Sequence, residues 1–289
     1  MIKARQKLGN DIFKQINSKM CENKNEHIFS IDGSKVRVHE GFKKIGFKPR
    51  TNGKIVPRVA KRPLAMLSSL YGVESLTTVN YTMTKHFNER MCVPALIENL
   101  QKEDIVIMDR GYYSAELFEH FHQRKIHAVF RLKCDANITV KKFYSSSQTD
   151  LHSSIVRNGN IIPIRYVKYF IDGNKYVIGT TIKDMSYRLI KQLYKLRWGV
   201  ETSYKRIKSY HNLNTIYTRT YNLWLQEVQL RILYDTLLIK TQTSETVRKR
   251  KKCRKIAYGG YQSLKLQHVT INRLVFKVMR NRVFFILIL

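Results

Sequence analysis

The hydrophobic pattern along the chain predicts several strands, and two of them end on an aspartate. Residues 27–32 form a strand-like run that ends at Asp32, and the apolar run at 104–109 ends at Asp109. The second run is unbroken, which is typical of a strand buried on both faces. Gly33 and Ser34 predict a turn before a second alternating strand at 35–39. Further patterns predict strands at 63–71, 77–86 and 127–132, helices at 93–100 and 114–124, and a basic loop at 41–63.

The second half of the chain begins with a β-rich segment and continues with two long helical patterns. Residues 161–169 and 175–181 flank Asp172-Gly173, and an Asp-Gly pair between two strands is a strong hairpin signal. We therefore expect a β-rich insertion over residues 135–182. Helical periodicity follows at 185–210 and 223–241.

The charge of the chain narrows the possible functions. The 289 residues include 53 Lys and Arg against 21 Asp and Glu, so the formal net charge is +32. With 43% hydrophobic and 11% aromatic residues, the chain is too apolar for a disordered basic tail. An enzyme of small metabolites has no need of such an excess of positive charge. Nucleic acid is the expected partner, and an anionic membrane surface is a weaker alternative.

Other features of the composition point to the interior of the cell. Cys21, Cys92, Cys134 and Cys253 are scattered, without the spacing of a zinc site or a disulfide framework. The N-terminal residues lack a secretory apolar core, and the apolar run at 283–289 is too short to span a bilayer. We expect a cytoplasmic protein that does not enter a membrane. The basic run at 248–255 is either a solvated charge cluster or a DNA contact.

The helix at 185–210 predicts a polar stripe opposite an apolar one. At about 100° per residue, its four notable polar residues fall at roughly 0°, −60°, −20° and −40°; they are Tyr194, Arg197, Glu201 and Lys208. Four apolar residues fall at roughly 200° to 240°, on nearly the opposite side; they are Leu189, Leu196, Val200 and Ile207. For an unknown helix, a solvated charged face is the simpler interpretation.

The spacing of those polar residues changes this interpretation. Tyr-x2-Arg-x3-Glu-x6-Lys, from Tyr194 to Lys208, resembles the signature helix of the IS4-type family of DDE transposases. Ser-Ile-Asp-Gly-Ser at 30–34 resembles the first-aspartate segment of that family. Ile-Met-Asp-Arg-Gly-Tyr at 107–112 resembles the second. The three motifs stand in the family's order and on the expected elements.

This resemblance implies a fold and a catalytic site. The fold is of the α/β class, an RNase H-like mixed sheet flanked by helices, with a β-rich insertion between the second catalytic aspartate and the glutamate. The catalytic residues are Asp32, Asp109 and Glu201, which hold two divalent ions, Mg²⁺ or Mn²⁺, and Asp32 is shared by both ions. Oxygen ligands and paired ions suit phosphodiester cleavage. Tyr194, Arg197 and Lys208 are implied contacts to DNA.

The implied activity is DNA transposition. Water cleaves a strand, and the freed 3′-hydroxyl then attacks the target DNA. The implied partners are the transposon ends and target DNA, bound by a dimer, and in a prokaryote the protein would associate with the nucleoid. Three alternatives stay open: an inactive DNA-binding remnant, an RNase H-like nuclease, and an unrelated basic nucleic-acid-binding protein.

We divide the chain into five segments on these grounds. They are a short N-terminal segment at 1–26, where we expect the family's usual recognition domain to be missing or to lie elsewhere; the first part of the catalytic core at 27–134; the β-rich insertion at 135–182; the part of the core that carries the catalytic helix at 183–245; and a basic C-terminal segment at 246–289. Four aromatic residues of the insertion are expected to pack on the sheet rather than stack on bases: Tyr166, Tyr169, Phe170 and Tyr176. For Trp198 we also favour core packing over base stacking.

Overall fold

The computed structural model describes residues 9–22, 26–49, 62–216 and 218–249, with 242–249 as backbone only. Its strands are β1 (Ile28–Arg37), β2 (Leu64–Gly72), β3 (Thr78–Thr84), β4 (Ile105–Met108), β5 (His127–Leu132), β6 (Asp150–Arg157), β7 (Asn160–Ile171) and β8 (Asn174–Thr180). Its α-helices are α1 (Ile12–Cys21), α2 (Val93–Leu96), α3 (Ala115–Gln123), α4 (Ile138–Ser145), α5 (Tyr187–Lys195), α6 (Trp198–Ser209) and α7 (Tyr221–Lys249). Short 3₁₀ helices cover Glu40–Ile45, Glu89–Cys92 and Leu213–Thr215.

The eight strands form one mixed sheet in the order β3-β2-β1-β4-β5-β8-β7-β6. Strands β1, β4 and β5 are parallel, and the other neighbours are antiparallel. The short β4 is fully buried except at Ile105, as the unbroken apolar run predicts. Helices pack on both faces of the sheet. The α/β class and the mixed RNase H-like sheet predicted from the sequence are therefore confirmed.

The first strand is longer than the sequence pattern predicts. Gly33 and Ser34 do not form a turn, because β1 pairs with β2 without interruption from Phe29 opposite Gly72 to Arg37 opposite Leu64. Gly33 is a strand residue, paired with Ser68. The predicted turn is wrong, since a glycine in a strand can also mark the close approach of another group. The group that approaches here is the side chain of Glu89.

The segment at 135–182 contains helix α4 and the strands β6 to β8. The predicted hairpin is confirmed: β7 and β8 are joined by Asp172 and Gly173, both of which have positive φ angles, at 48° and 74°. Two central residues with positive φ form the turn that matches the natural twist of a hairpin. Strand β8 pairs with β5, so the three strands extend the central sheet rather than form a sheet of their own.

The helix predicted at 185–210 is two helices. Helix α5 ends at Lys195 and α6 begins at Trp198. Between them the backbone bonds tighten to the i→i−3 pattern, with Arg197 N donating to Tyr194 O at 3.2 Å and Val200 N donating to Arg197 O at 3.3 Å. Such a tight turn changes the rotation of the side chains around the axis. The uniform advance of 100° per residue is therefore wrong across this junction.

Other predictions hold with small changes. The strands predicted at 63–71, 77–86, 104–109 and 127–132 and the helix at 114–124 are present, and Ser114 caps that helix by accepting from Leu117 N. The helix at 93–100 is only the short α2, and the predicted loop at 41–63 begins with a 3₁₀ helix. The helix predicted at 223–241 is present as the longer α7. Residues 250–255 of the basic run, Cys253 and the apolar run at 283–289 lie outside the described residues.

Apolar side chains fill both faces of the sheet. On one face, Ile31, Met108 and Phe130 pack with Phe118 of α3. On the other, which we call the α6 face, helices α5, α6 and α7 cover the strands. Its largest fully buried side chain is Trp224 of α7.

No helix in the described part of the chain is long and apolar enough to cross a membrane. The described residues up to Lys240 belong to one compact unit.

A buried ionic network joins α6 to α7. Asp235, with 1% of its surface exposed, accepts hydrogen bonds from Arg206 Nε at 2.5 Å and Nη2 at 2.7 Å. It also contacts His211 Nε2 at 2.9 Å. Burial acts to raise the pKa of Asp235, but the hydrogen bonds from Arg206 and His211 outweigh it and hold this pKa below its usual range. The orientation of α6 against α7 therefore depends on an ionised carboxylate.

We predict that Asp235→Asn lowers the free energy of unfolding at pH 7 by about 3–5 kcal/mol, because Arg206 loses its buried counter-charge. Since the folded pKa is lowered, this stabilisation is complete above the unfolded pKa near 3.8 and disappears as pH falls through the folded pKa. Urea unfolding at pH 7 and pH 3 measures both effects. The exposed Glu40→Gln is the control, with an expected change below about 0.5 kcal/mol. Equal stability of the Asn variant at pH 7 would contradict the prediction.

Candidate active site

Parallel pairing brings the two predicted aspartates side by side. Ile31 of β1 lies opposite Met108 of β4, and these are the residues just before Asp32 and Asp109. Neighbouring strands are about 4.8 Å apart, and alternate residues point to the same face. Asp32 shares the face of Ser30 and Ser34, and Asp109 shares the face of Ile107, so both carboxylates lie on the α6 face, where β4 ends.

The carboxylate of Asp32 is largely buried, and Arg197 is its nearest cation. It accepts from Gly33 N at 2.9 Å, and its Oδ2 lies 4.0 Å from Arg197 Nη1. Burial raises the pKa of Asp32 to about 6, against the opposing effects of Gly33 and Arg197 and with a further increase from Glu89 and Glu201. Burial and the neighbouring acids therefore disfavour the ionised form of Asp32.

Arg197 lies between the carboxylates. Its side chain is 7% exposed, and Nη2 donates to Glu201 Oε1 at 2.5 Å while Nη1 faces Asp32. Its guanidinium also lies over the ring of Trp198, 5.0 Å from the centroid. One cation thus connects the strand aspartate with the helix glutamate.

Tyr194 and Lys208 are the remaining predicted site residues, and each donates a hydrogen bond near one of the two aspartates. The hydroxyl of Tyr194 donates to Asp109 Oδ1 at 3.3 Å, and burial raises the pKa of Tyr194, so it stays a protonated donor. Lys208 Nζ donates to Ser34 Oγ at 2.6 Å, two residues after Asp32 on the same face of β1. Burial lowers the pKa of Lys208 from its usual value. The structure therefore brings all six predicted site residues to one region of the α6 face.

The burial of these side chains differs from the predicted stripe. Tyr194 and Arg197 are buried rather than presented to solvent, and Leu189 and Leu196 are 52% and 42% exposed. The expected apolar face is wrong for those two leucines, because the tight turn before α6 rotates α5 relative to it. Val200 and Ile207, which follow the turn, are buried as predicted.

The aromatic predictions have mixed outcomes. Trp198 is 59% exposed, so its expected packing in the core is wrong. In the segment at 135–182, Tyr166 and Tyr169 are buried in the sheet as predicted, whereas Phe170 is 52% exposed. Tyr176 stacks on Tyr169 with an interplanar angle of 15°.

Two contacts fix α6 against the strands. The hydroxyl of Tyr204 donates to the backbone oxygen of Asp32 at 2.6 Å and lies 3.2 Å from that of Leu67. Gly199 permits a close approach, because a Cβ atom there would lie 2.7 Å from Cε1 of Tyr71. The sequence analysis missed Tyr204, although its position three residues after Glu201 on the same helix is a signal that would have found it. It also missed Glu89, which belongs to no motif.

Three of these side chains have the chemistry of a divalent-metal site. Asp32, Asp109 and Glu201 offer hard carboxylate oxygens, the ligands that Mg²⁺ and Mn²⁺ prefer. In the described part of the chain, no three acidic, histidine or cysteine side chains converge as a ready cluster of ligands. At this site Glu201 is paired with Arg197. The chemistry of the three carboxylates suits a hard divalent ion.

Comparison with known proteins finds similarity to transposases. The family profile of the transposase DDE domain matches residues 23–234. The probable transposase for insertion sequence element IS5377 of Geobacillus stearothermophilus is 26% identical over 160 residues, which are 49% of this chain and 42% of that protein. The cryo-EM structure of the piggyBac transposase synaptic complex with hairpin DNA has a TM-score of 0.54 at 12% identity. It covers 86% of this chain and 54% of the other.

This chain belongs to the family of transposases with a DDE domain, since the profile spans most of its length. The likeness to piggyBac, at 12% identity, shows a shared fold. The chain spans 42% and 54% of the lengths of these two relatives. The IS4-type assignment stays a prediction from the Tyr-Arg-Glu-Lys spacing.

The raised pKa of Asp32 has a measurable consequence for stability. An acid whose folded pKa exceeds its unfolded value destabilises the fold as pH rises through that interval, here from 3.8 to about 6. We therefore predict that Asp32→Asn increases the free energy of unfolding at pH 7.5 by about 2–3 kcal/mol. The gain should vanish below pH 4, where Asp32 is protonated in both states. Urea unfolding at the two pH values measures it.

Asp150→Asn is the matched control for this experiment. Hydrogen bonds from Arg165 lower the pKa of Asp150, so neutralising it should destabilise the protein at pH 7.5, the opposite sign. A loss of stability in both variants would contradict our description of the Asp32 environment.

Proposed function

We propose that this protein is a DNA transposase that cleaves DNA strands and transfers the resulting 3′-hydroxyl to a target strand. The observation that carries the proposal is the adjacency of Asp32 and Asp109 on parallel strands, with Glu201 held close by through Arg197. Family membership and a net charge of +32 support the same function. The Tyr-Arg-Glu-Lys spacing supports an IS4-type enzyme.

In this proposal Asp32, Asp109 and Glu201 are the catalytic carboxylates and hold two divalent ions, Mg²⁺ or Mn²⁺. When bound, such ions lower the pKa of an attacking water and neutralise charge on the leaving oxygen. The protein's own contribution is to place acidic oxygens on a rigid strand pair and to exclude most solvent from Asp32. The backbone bond from Tyr204 to Asp32 supports that placement.

Arg197, Tyr194 and Lys208 act on the DNA in this mechanism. Arg197 has a guanidinium that can bind a phosphate bidentately once Glu201 is released. Tyr194 remains protonated and donates to Asp109, so it orients that carboxylate while its ring borders the path of the strand. Lys208, fixed by Ser34, presents a single positive charge at the side of β1. These three residues would hold the scissile phosphate against the acids.

The proposed partners are transposon-end DNA and target DNA. A protein with this charge excess attracts the phosphate backbone at long range and releases counterions on binding. Joining two ends requires two active sites, so we propose a dimer on DNA. In a bacterial cell such a protein would reside in the cytoplasm with the nucleoid.

The proposal predicts metal-dependent nicking of supercoiled plasmid. The 289-residue protein should nick the plasmid in Mg²⁺ or Mn²⁺. The Glu201→Gln and Asp32→Asn variants should show only the background nicking seen without protein, although both variants should still bind DNA. Glu98→Gln, an exposed glutamate outside the site, is the control and should retain activity. Absence of nicking by the wild type, with salt-sensitive binding intact, would favour the inactive remnant. Nicking without joining of a 3′-hydroxyl to target DNA would favour the nuclease.

A second prediction concerns Lys208 and DNA binding. If Lys208 neutralises one phosphate, Lys208→Gln should weaken binding to all DNA sequences and reduce the slope of log K against log salt by about 1. Fluorescence anisotropy at 50–300 mM salt is the measurement. Lys102→Gln is the control, since Lys102 precedes β4 and lies at the opposite end of this strand from Asp109. An unchanged slope in Lys208→Gln would remove this residue from the DNA-binding set.

A further inference from the structure

Glu89 is an acidic residue beside the site that no motif predicts. It begins the 3₁₀ helix Glu89–Cys92, which follows β3. No ion-pair partner for Glu89 is found within the described residues. In a chain with 53 basic and 21 acidic residues, an acid without a cation near another acid is unexpected.

The backbone of β1 is shaped to receive this side chain. A Cβ atom at Gly33 would lie 2.6 Å from Cδ of Glu89 and 2.8 Å from its Oε1, closer than real contacts allow. Gly33 follows Asp32 directly, and its N–H donates to the Asp32 carboxylate. The absent side chain at Gly33 therefore lets the Glu89 carboxyl lie against the strand at the position next to Asp32.

The Glu89 segment is also tied to the loop after Asp109. Arg90 Nε donates to Gly111 O at 2.7 Å, which joins the 3₁₀ helix to this loop. The next residue, Tyr112, is 1% exposed, and its hydroxyl interacts electrostatically with both Glu89 and Asp32. Within the described residues, that hydroxyl has no partner in good hydrogen-bond geometry. The Tyr112 hydroxyl is therefore a buried donor close to the Glu89 carboxylate.

An open pocket gives access to this carboxylate. Its volume is about 370 Å³, and it is lined by Phe87, Asn88, Glu89, Arg90 and Gly111. The pocket is therefore shared by the Glu89 segment and the loop that follows Asp109. Arg197 and Glu201 approach Asp32 from the α6 face, whereas Gly33, by the alternation of a strand, faces Glu89 from the other side. In the described part of the chain, β1 has no parallel neighbour beyond the end of β4 at Met108, so the sheet is open at this edge beside Asp32.

We propose that Glu89 is a fourth carboxylate of the active site, which contributes to the binding of divalent metal from the side opposite Glu201. This inference rests on the proposed function. Like charges at adjacent positions repel, and a bound cation relieves this repulsion, while oxygen donors select a hard divalent ion. Glu89 acts as a direct ligand or through a bound water, and Tyr112 orients it by donating to its carboxylate.

The test is Mn²⁺ binding by the full chain without DNA, followed by electron paramagnetic resonance or calorimetry. Glu89→Gln keeps the shape and removes the charge, so it should weaken Mn²⁺ binding by about 10- to 100-fold. Glu98→Gln makes the same change at an exposed position outside the site and should bind as the wild type does. Unchanged affinity in Glu89→Gln would overturn the inference.

Gly33→Ala provides a second variant with an intact charge. The atom it would meet is the far end of a flexible side chain, so the fold should be kept and the Glu89 carboxyl displaced. We expect weaker Mn²⁺ binding in Gly33→Ala, and little additional loss in the double variant with Glu89→Gln, because both act through one group. Fully multiplicative losses would contradict this link. Thermal unfolding of each variant verifies that it is folded.

Asp32→Asn in the same titration separates this inference from the proposed function. Loss of binding in Asp32→Asn with normal binding in Glu89→Gln would reject the role of Glu89 and leave the metal site intact. Normal binding in Asp32→Asn would instead reject the proposed metal site itself. Losses in both support the two proposals together.

Discussion

Arg197 supplies the positive charge that allows the acids of this site to approach one another in a folded protein. Its guanidinium pairs with Glu201 and faces Asp32, and it is itself almost fully buried. Burial of a single unpaired charge is costly, so the pair is stable only because each member neutralises the other. The same arrangement makes the site responsive, because any cation or phosphate that binds must compete with these contacts. Arg197 therefore both stabilises the acids in the folded protein and sets the competition that a bound cation or phosphate must overcome.

The position of α6 is what makes this charge balance possible, and it depends on polar groups rather than on apolar packing alone. Tyr204 bonds to the backbone of the strand that carries Asp32, and Arg206 bonds to the buried Asp235 of α7. These bonds are directional, whereas burial of Val200 and Ile207 would tolerate small rotations of the helix. Gly199 allows close contact with Tyr71. A helix fixed in this way keeps Glu201 within reach of the strand acids.

Much of the fold follows from short-range patterns in the sequence. The apolar run before Asp109, the Asp172-Gly173 turn and the cap at Ser114 each have a local physical cause, and the structure contains the elements they predict. The errors arise where a distant contact overrides the local signal. Gly33 and Ser34 predict a turn from local sequence alone. In the structure Gly33 lies in a strand, because the side chain of Glu89, 56 positions away in the sequence, occupies the space of a Cβ atom there. Gly199 stands two residues after Arg197, but a single glycine within a helical pattern is tolerated and does not specify a break. The break at Arg197 therefore changed the faces assigned to Leu189 and Leu196 without a clear local signal.

The sequence predicts those residues of the site that share one helical segment or follow a recognisable strand. Spacing relates Tyr194, Arg197 and Glu201 because a helix fixes their separation, and a parallel sheet relates Asp32 to Asp109 once pairing is assumed. Glu89 has no such relation, since its place depends on the connection between β3 and α2. Spacing also carries no information about solvent exposure near a distorted turn, which explains the wrong expectation for Trp198.

The residues that break local rules lie close together in this protein. A glycine inside a strand, a buried arginine, an aspartate whose pKa is raised and a buried phenol in the loop after Asp109 all adjoin the end of β4. Each is unfavourable for stability alone, and a protein selected only for stability would replace them. Residues that lower stability are expected at functional sites. Their position around the end of β4 therefore indicates a functional site, without reference to any related protein. Both the aspartate pair and Glu89, which has no ion-pair partner within the described residues, concentrate negative charge there, within a chain whose net charge of +32 attracts polyanions. A locally acidic centre in a strongly basic protein is the arrangement expected of an enzyme that must bind both metal and DNA at the same place.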